Sequence, residues 1–326
     1  MLRRSEARDI VMKPHRLVVL SIAILFLSNS PSIFAGTLCS GLCTFTYIDG
    51  VVNYVTSTPG YAAFGINDNG DIVGVNSIGG VSGFLLSGGV FESFLFPGSS
   101  YTYFTGINSS GQIIGINSSG GGSSFLYNNN VFSSINNPGA FYTHASDIND
   151  YGQIVGYHRT NAGWSAYLDV GGVFTSLTPT GAFRSYGTGI NNRGEVVGYY
   201  EPNTGGGQAT LGFLYSGGLF TALAYPGATA TKLIDINDRG DIIGEYSDSN
   251  GSHSFLYSGG VFSSFDLPGG TTLNFCIGGE CGSFAGINNS GHIVGNTFYV
   301  SEPSSMLALV SGLACMLTAL RKRRRR

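Results

Sequence analysis

The sequence predicts an all-β protein: a six-bladed β-propeller of four-stranded antiparallel blades, closed by N- and C-terminal strands. Three observations carry that reading. The chain is rich in turn-forming and β-favouring residues, with 51 Gly, 22 Phe and 18 Tyr against 11% charged residues. Two short hairpin-like motifs alternate along the middle of the chain, each occurring six times. The steps between successive copies fall in the range of a propeller blade.

The first element is a leader. A basic region ending at Arg16 precedes the apolar run Leu17–Leu27, and "SNSPSIFAG" follows. The run is too short to span a bilayer comfortably and leads into small residues, as in a secretory signal peptide cut after Ala35. Met12 offers a more ordinary signal opening, and an uncleaved anchor is the alternative. The expected division is a signal peptide over 1–35, a repeat body over 36–300 and a tail over 301–326.

Export makes the cysteines readable. Cys39, Cys43, Cys276 and Cys281 belong to the body, and in an oxidising compartment four cysteines point to two disulfides. Bridges across the ring and local bridges within each close pair are both open. A zinc site has no further ligands nearby and lacks zinc-ribbon spacing.

Charge excludes one class of partner. Five of the 16 Lys and Arg lie in the leader and six close the chain, so five cations face 17 acids in between. Such a body repels phosphate backbones, and no nucleic acid partner is expected.

The repeats come next. The first motif reads "GINDNGDIVG" (65–74), "GINSSGQIIG" (106–115), "DINDYGQIVG" (147–156), "GINNRGEVVG" (189–198), "DINDRGDIIG" (235–244) and "GINNSGHIVG" (286–295). The second reads "GFLLSGGVFESF" (83–94), "SFLYNNNVFSSI" (124–135), "AYLDVGGVFTSL" (166–177), "GFLYSGGLFTAL" (212–223) and "SFLYSGGVFSSF" (254–265), with a weaker copy at 45–55. Each is a hairpin, with Asn, Asp and Gly turning between apolar strands. Two hairpins per repeat make four strands, which fits a propeller blade better than the shorter coils of a β-solenoid. The chain enters on a second hairpin and leaves on a first, so strands from both ends are expected to complete one blade and remove the open edge.

In an antiparallel meander the tight turns share one rim and the longer segments share the other. The second rim then gathers Tyr101, Tyr103, Tyr142, Tyr157, Trp164, Tyr186 and Tyr199, together with His144, His158, Arg159, Arg184 and Glu201. Aromatic rings with interspersed hydrogen-bonding groups suit sugar rings, so these seven aromatics are the candidate ligand rim. Packing between neighbouring segments is the plainer explanation of any one of them.

Other chemistry finds less support. Asp68, Asp150 and Asp238 read as turn acids bonding nearby backbone N–H groups. "DINDRGD" has part of a Ca²⁺-loop pattern but lacks the acid at its fifth position and the closing Glu. No catalytic residues, metal or cofactor are expected: the histidines are scattered, and no nucleophile or zinc-protease motif occurs. Glu201 and Asp248 are the acids that could converge from different blades for glycoside chemistry, making a secreted carbohydrate-active enzyme the alternative function.

The repeated G-I-N-x-x-G-x-I-V-G and F-L-Y-x-G-G-V-F runs resemble the bacterial extracellular HAF repeats, from residue 45 to about 295. That resemblance implies export and a repeat scaffold and carries little about activity. The last element is Ser301-Glu302-Pro303-Ser304, then an uncharged run over 304–320 and "RKRRRR" over 321–326. The run is at the lower limit for a transmembrane helix, and the cations should stay cytoplasmic. This tail resembles the PEP-CTERM sorting signal of Gram-negative bacteria, with Ser301 where that signal begins in Pro. The resemblance implies recognition by an exosortase, transient inner-membrane insertion, and removal of the helix. It also implies a place at the cell surface or in the biofilm matrix, with exopolysaccharide or surface proteins as partners.

Overall fold

Alternating apolar residues on either side of Gly-centred turns give short antiparallel strands. In the computed structural model, residues 41–48, 51–55, 60–118, 123–203, 210–265, 276–277, 280–281 and 284–299 are described. The chain opens with β1 (Gly41–Ile48) and β2 (Val51–Tyr54). Blade one is β3 (Tyr61–Ile66), β4 (Ile72–Asn76), β5 (Ser82–Ser87) and β6 (Val90–Phe94). Blade two is β7 (Thr102–Ile107), β8 (Ile113–Asn117), β9 (Ser123–Asn128) and β10 (Val131–Ile135). Blade three is β11 (Tyr142–Ile148), β12 (Ile154–Thr160), β13 (Gly163–Val170) and β14 (Val173–Leu177). Blade four is β15 (Ala182–Ile190), β16 (Val196–Pro202), β17 (Leu211–Ser216) and β18 (Leu219–Leu223). Blade five is β19 (Ala230–Ile236), β20 (Ile242–Asp248), β21 (Gly251–Ser258) and β22 (Val261–Phe265). A two-stranded ladder, β23 (Cys276–Ile277) and β24 (Glu280–Cys281), precedes β25 (Phe284–Ile287) and β26 (Ile293–Tyr299).

Five sheets run in chain order and the sixth is ordered β2-β1-β26-β25, so both ends of the propeller share one blade. β1 pairs with β26 from Gly41↔Tyr299 to Tyr47↔Ile293, which closes the ring as the motif order predicts. The first strands of neighbouring blades, β3, β7, β11, β15, β19 and β25, contact one another around a central channel.

The two repeat motifs lock together inside each blade. The last glycine of the first motif lies directly opposite the aromatic of the second: Gly74↔Phe84, Gly115↔Phe125, Gly156↔Tyr167, Gly198↔Phe213 and Gly244↔Phe255. Gly295↔Phe45 repeats the pairing across the closure. These rings are at most 1% exposed and form the cores between blades. A Cβ at Gly156 would overlap the carbonyl oxygen of His144 on the inner strand and approach the Tyr167 hydroxyl at 2.9 Å. The glycine is therefore required by close approach on two sides. Burying each ring contributes about 1.5–3 kcal/mol, repeated six times around the molecule.

Three details differ from expectation. Much of the candidate rim is strand rather than loop: residues 142–146, 157–160, 163–164, 182–187 and 199–202 belong to β11, β12, β13, β15 and β16. Their Tyr, Trp, Phe and Thr content suits a pleated ladder, so blades three and four grow taller than blade one. The "NNN" turn of blade two holds Asn129 and Asn130 at φ 49° and 64°, where four other copies use Gly-Gly. Asn tolerates that left-handed conformation, so the hairpin keeps its turn. In the third strand of blade three, Tyr167 replaces Phe, and its buried hydroxyl has no hydrogen-bond partner among the described residues.

The backbone register sets Cys276 opposite Cys281, and Cys43 opposite Thr297. Cys39, the expected leader over 1–35 and the expected tail, with Ser301, Glu302, Pro303 and Ser304, lie outside the described residues. Among the described residues no helix is long and apolar enough to cross a membrane.

Candidate functional site

The two ends of the channel are chemically unlike. At the tight-turn end, one asparagine per blade holds its own turn and reaches the next blade, and Asn149 does so with four bonds. Asn149 Oδ1 accepts from the backbone N–H groups of Tyr151 (3.1 Å) and Gln153 (3.0 Å), holding its own turn. Its Nδ2 donates to Gln153 Oε1 (2.7 Å) and to the carbonyl of Asn191 in the next blade (3.0 Å). The same inter-blade bond runs from Asn67 to Asn108, Asn108 to Asn149, Asn191 to Asn237, Asn237 to Asn288 and Asn288 to Asn67, at 3.0–3.1 Å. Six amides thus form a closed circle around the channel, and all six are buried.

The residues after these asparagines add a second set of inter-blade bonds over five of the six steps. Ser109 N–H donates to Asp150, Asp150 N–H to Asn192, Asn192 N–H to Asp238, Asp238 N–H to Asn289 and Asn289 N–H to Asp68, at 2.7–2.8 Å. Asp68, Asp150 and Asp238 therefore accept from neighbouring blades rather than from their own turns, which corrects the expectation of local bonding. A turn motif read one copy at a time cannot show a partner 41 or more residues away.

Deeper in the channel lie two carboxylates that the motif comparison passes over. Four copies begin "GIN" or its equivalent with Gly, but copies three and five begin "DIN", and that substitution is the signal for Asp147 and Asp235. Each sits just past a bulge in the innermost strand. Asp147 Oδ1 accepts from Ile148 N–H (2.8 Å) and Oδ2 from Ile190 N–H of the next blade (2.9 Å). Asp235 repeats this with Ile236 (2.7 Å) and Ile287 (2.8 Å). Both fit because the preceding blade offers glycine: a Cβ on Gly106 would lie 3.0 Å from Asp147 Oδ1, and one on Gly189 would lie 2.6 Å from Asp235 Oδ1. Both are half-buried and line the channel. Desolvation pushes Asp147 up to about 7 against the lowering effect of its two backbone donors. Desolvation and then the Asp147 charge push Asp235 well above the usual carboxylate range. The cavity they share with the asparagine circle has room for water over about 60 Å³.

The opposite mouth is aromatic. His144 and Tyr157 stack at 4.5 Å, Tyr157 meets Trp164 at 5.8 Å and Tyr186 at 5.1 Å, and Tyr186 stacks on Tyr199 at 4.9 Å. Tyr142 packs edge-on against Trp164 at 5.5 Å. Five of the seven candidate-rim aromatics therefore form one continuous arc across blades three and four. Tyr101 and Tyr103 form a separate pair at 5.3 Å on blade two. Within the arc Tyr157 is buried, while Tyr142, Trp164, Tyr186 and Tyr199 keep part of their surface outside. Cations cap it: Arg159 lies over Trp164 at 5.6 Å and Lys232 over Tyr199 at 5.1 Å.

The remaining candidates have local roles. His158 is buried, stacks on Tyr167 and contacts Asn137 Nδ2 through Nδ1 (2.7 Å), and burial pushes its pKa down. Glu201 pairs with Arg184 (3.5 Å) and Asp248 with His253 (3.4 Å), each within its own blade. In the loop with partial Ca²⁺-site character, the Asp241 carboxylate accepts from Asn237 (3.1 Å) and Arg239 (2.8 Å) and from the Ser258 hydroxyl. Among the described residues no three His, Cys, Asp or Glu side chains converge as a metal site would require.

No family model matches the chain, and no curated protein matches it in sequence. Its fold does match solved structures. The putative TolB from Agrobacterium tumefaciens superposes with a TM-score of 0.62 at 13% identity, covering 80% of this chain and 99% of the other. TolB from Acinetobacter baumannii gives 0.52 at 14% identity, over 68% and 61%. At these identities the likeness is one of fold.

Proposed function

We propose that this chain is an exported, non-enzymatic propeller of the Gram-negative cell envelope, delivered to the cell surface or matrix, whose aromatic mouth holds polysaccharide. The continuous arc Tyr142–Tyr157–Trp164–Tyr186–Tyr199 carries the binding part of this reading. Partly exposed rings beside hydrogen-bonding groups offer stacking platforms for sugar faces. The leader and the PEP-CTERM-like tail support export, with an exosortase as the processing partner, and the TolB-like fold is compatible with an envelope location.

The carbohydrate-active enzyme is the weaker reading. Glu201 and Asp248 are each held by a partner in their own blade, in different blades. The two carboxylates that do share a channel, Asp147 and Asp235, are each already held by two backbone N–H groups.

Two experiments test the proposal. Sorting is tested by comparing the mature C-terminus and location of the wild type with a Glu302→Ala, Pro303→Ala variant. Processing of the wild type alone is expected; residues 304–326 retained in the inner membrane by both would remove the sorting step. Binding is tested by titrating the exported protein with the host's own polysaccharide, with Trp164 replaced by Ala as the comparison. Equal retention of wild type and variant would remove the arc from the function.

A further inference from the structure

The exported body holds five cations, Arg159, Arg184, Arg193, Lys232 and Arg239, and their placement is uneven. Arg193 and Arg239 lie at the tight-turn end and are neutralised by Glu195 (2.6 Å) and Asp241 (2.8 Å). The other three lie at the aromatic mouth, each over a ring: Arg159 on Trp164, Lys232 on Tyr199 and Arg184 on Phe183 (4.9 Å). Arg184 also meets Glu201, whereas Arg159 and Lys232 have no ion-pair partner among the described residues. Of the other mouth acids, Asp248 is occupied by His253 and by Asn250 N–H, and Glu245 stands directly across the strand pair from Lys232.

The register shows how these two cations are aimed. Arg159 in β12 is the cross-strand partner of both Tyr142 and Trp164. Lys232 occupies the position on its innermost strand that Tyr103, His144 and Tyr186 occupy on theirs, one residue before the partner of the repeat glycine. The arc therefore begins at a guanidinium and ends at an ammonium, with stacking surfaces between. Three of the five cations of this otherwise acidic body stand at this mouth, so an anionic polymer is repelled less here than elsewhere.

Resting on the reading of this mouth as a glycan site, we propose that its ligand is a carboxylated polysaccharide, one built with uronic acids, whose sugar faces stack on Trp164 and Tyr199. Arg159 accepts a carboxylate through its planar fork of N–H donors, and Lys232 takes a second as a compact charge. A neutral glucan would satisfy the rings and leave both cations unused.

The chain carries one tryptophan, so Trp164 emission reports occupancy of the mouth directly. The exported protein is titrated with hexagalacturonate and with cellohexaose at low and at near-physiological salt. Hexagalacturonate should bind about tenfold or more tightly at low salt and lose most of that advantage on screening. Arg159→Gln with Lys232→Gln should remove the preference while keeping weak cellohexaose binding; Trp164→Phe, which keeps a ring, should keep the preference when followed by calorimetry. Equal, salt-insensitive binding of both sugars overturns the carboxylate assignment and leaves the glycan site standing. Binding of neither, by a protein whose melting is cooperative, overturns both readings. A sulfated hexasaccharide or a single-stranded oligonucleotide that binds as tightly as hexagalacturonate overturns the carboxylate class, since charge alone then suffices.

Discussion

Replacing Asn149 by Asp changes one NH₂ group to oxygen and leaves the shape untouched, so it isolates what the asparagine circle contributes. The side chain is 4% exposed. Its Oδ1 would still hold the N–H groups of Tyr151 and Gln153. The former Nδ2 position would set an oxygen 3.0 Å from the Asn191 carbonyl and 2.7 Å from Gln153 Oε1. Gln153 can rotate its amide and donate instead, but the carbonyl cannot. The carbonyl's lost bond costs about 1–3 kcal/mol, as a buried acceptor faces another acceptor. A new charge near Asp147 and Asp150 adds on the order of 1 kcal/mol. The sum is about 2–4 kcal/mol at pH 8, a fall in melting temperature of roughly 5–12 °C for a body of this size. The effect has a sign in pH. The new carboxyl's folded-state pKa is raised, so the cost is full above that pKa and fades as pH falls towards about 4, where a protonated Asp donates again. Thermal melts at pH 8 and pH 5, with exposed Asn161→Asp as the comparison, measure it. If Asn149→Asp and Asn161→Asp melt within about 0.5 kcal/mol of each other at pH 8, the circle contributes nothing and the reasoning fails.

Three further outcomes follow from the same geometry. Gly156→Ala should lose about 3 kcal/mol or more by denaturant titration, because its methyl group overlaps the His144 carbonyl and crowds Tyr167; a loss below about 1 kcal/mol would mean the blade relaxes freely. Tyr167→Phe should be neutral or stabilising by about 1–2 kcal/mol, since it removes a buried hydroxyl with no protein partner and restores the residue of the other blades; a clear destabilisation by calorimetry would show the hydroxyl to be bonded. Asp147 and Asp235 have raised folded-state pKa values, so their contribution is fully present below about pH 4 and is lost as pH rises towards about 7. Melts between pH 5 and 8 should fall with pH in the wild type and flatten in Asp147→Gly, and parallel curves would argue against the pair.

The blade was legible because its determinants are local and repeated. The turn in "INDNG" and the strand pairing that sets Gly74 against Phe84 both follow from residues within one copy, and six copies averaged out the noise. Even ring closure was readable, because the phase of the motifs at 45–55 and 286–295 left one hairpin lacking at each end. The channel was not, because its contacts are between copies. Asn149 bonds Asn191, and Asp150 bonds Ser109, so the same letters read as turn residues in isolation and as inter-blade fasteners in the ring. The mouth stood between these cases. Parity put Tyr142, Trp164, Tyr186 and Tyr199 at one end, but only the heights of β11 to β16 showed them as one stacked arc carried on strands.

That division explains where this scaffold can vary. The tight-turn end fixes each copy to its two neighbours: an asparagine that failed to reach the next carbonyl would break the circle at that step, and a non-glycine residue opposite the core aromatic would collide with its own inner strand. Those positions are therefore the same in all six copies, apart from the paired exchange of Gly for Asp at 147 and 235, where glycine in the preceding blade makes room. The other end has no such constraint, since Ala62, Tyr103, His144, Tyr186 and Lys232 share one register position yet have little chemistry in common. A repeat protein that must recognise something asymmetric has to break its symmetry where the fold does not need it. Here the break is concentrated on blades three to five, where the strands are tallest, the rings stack and two cations lie over those rings.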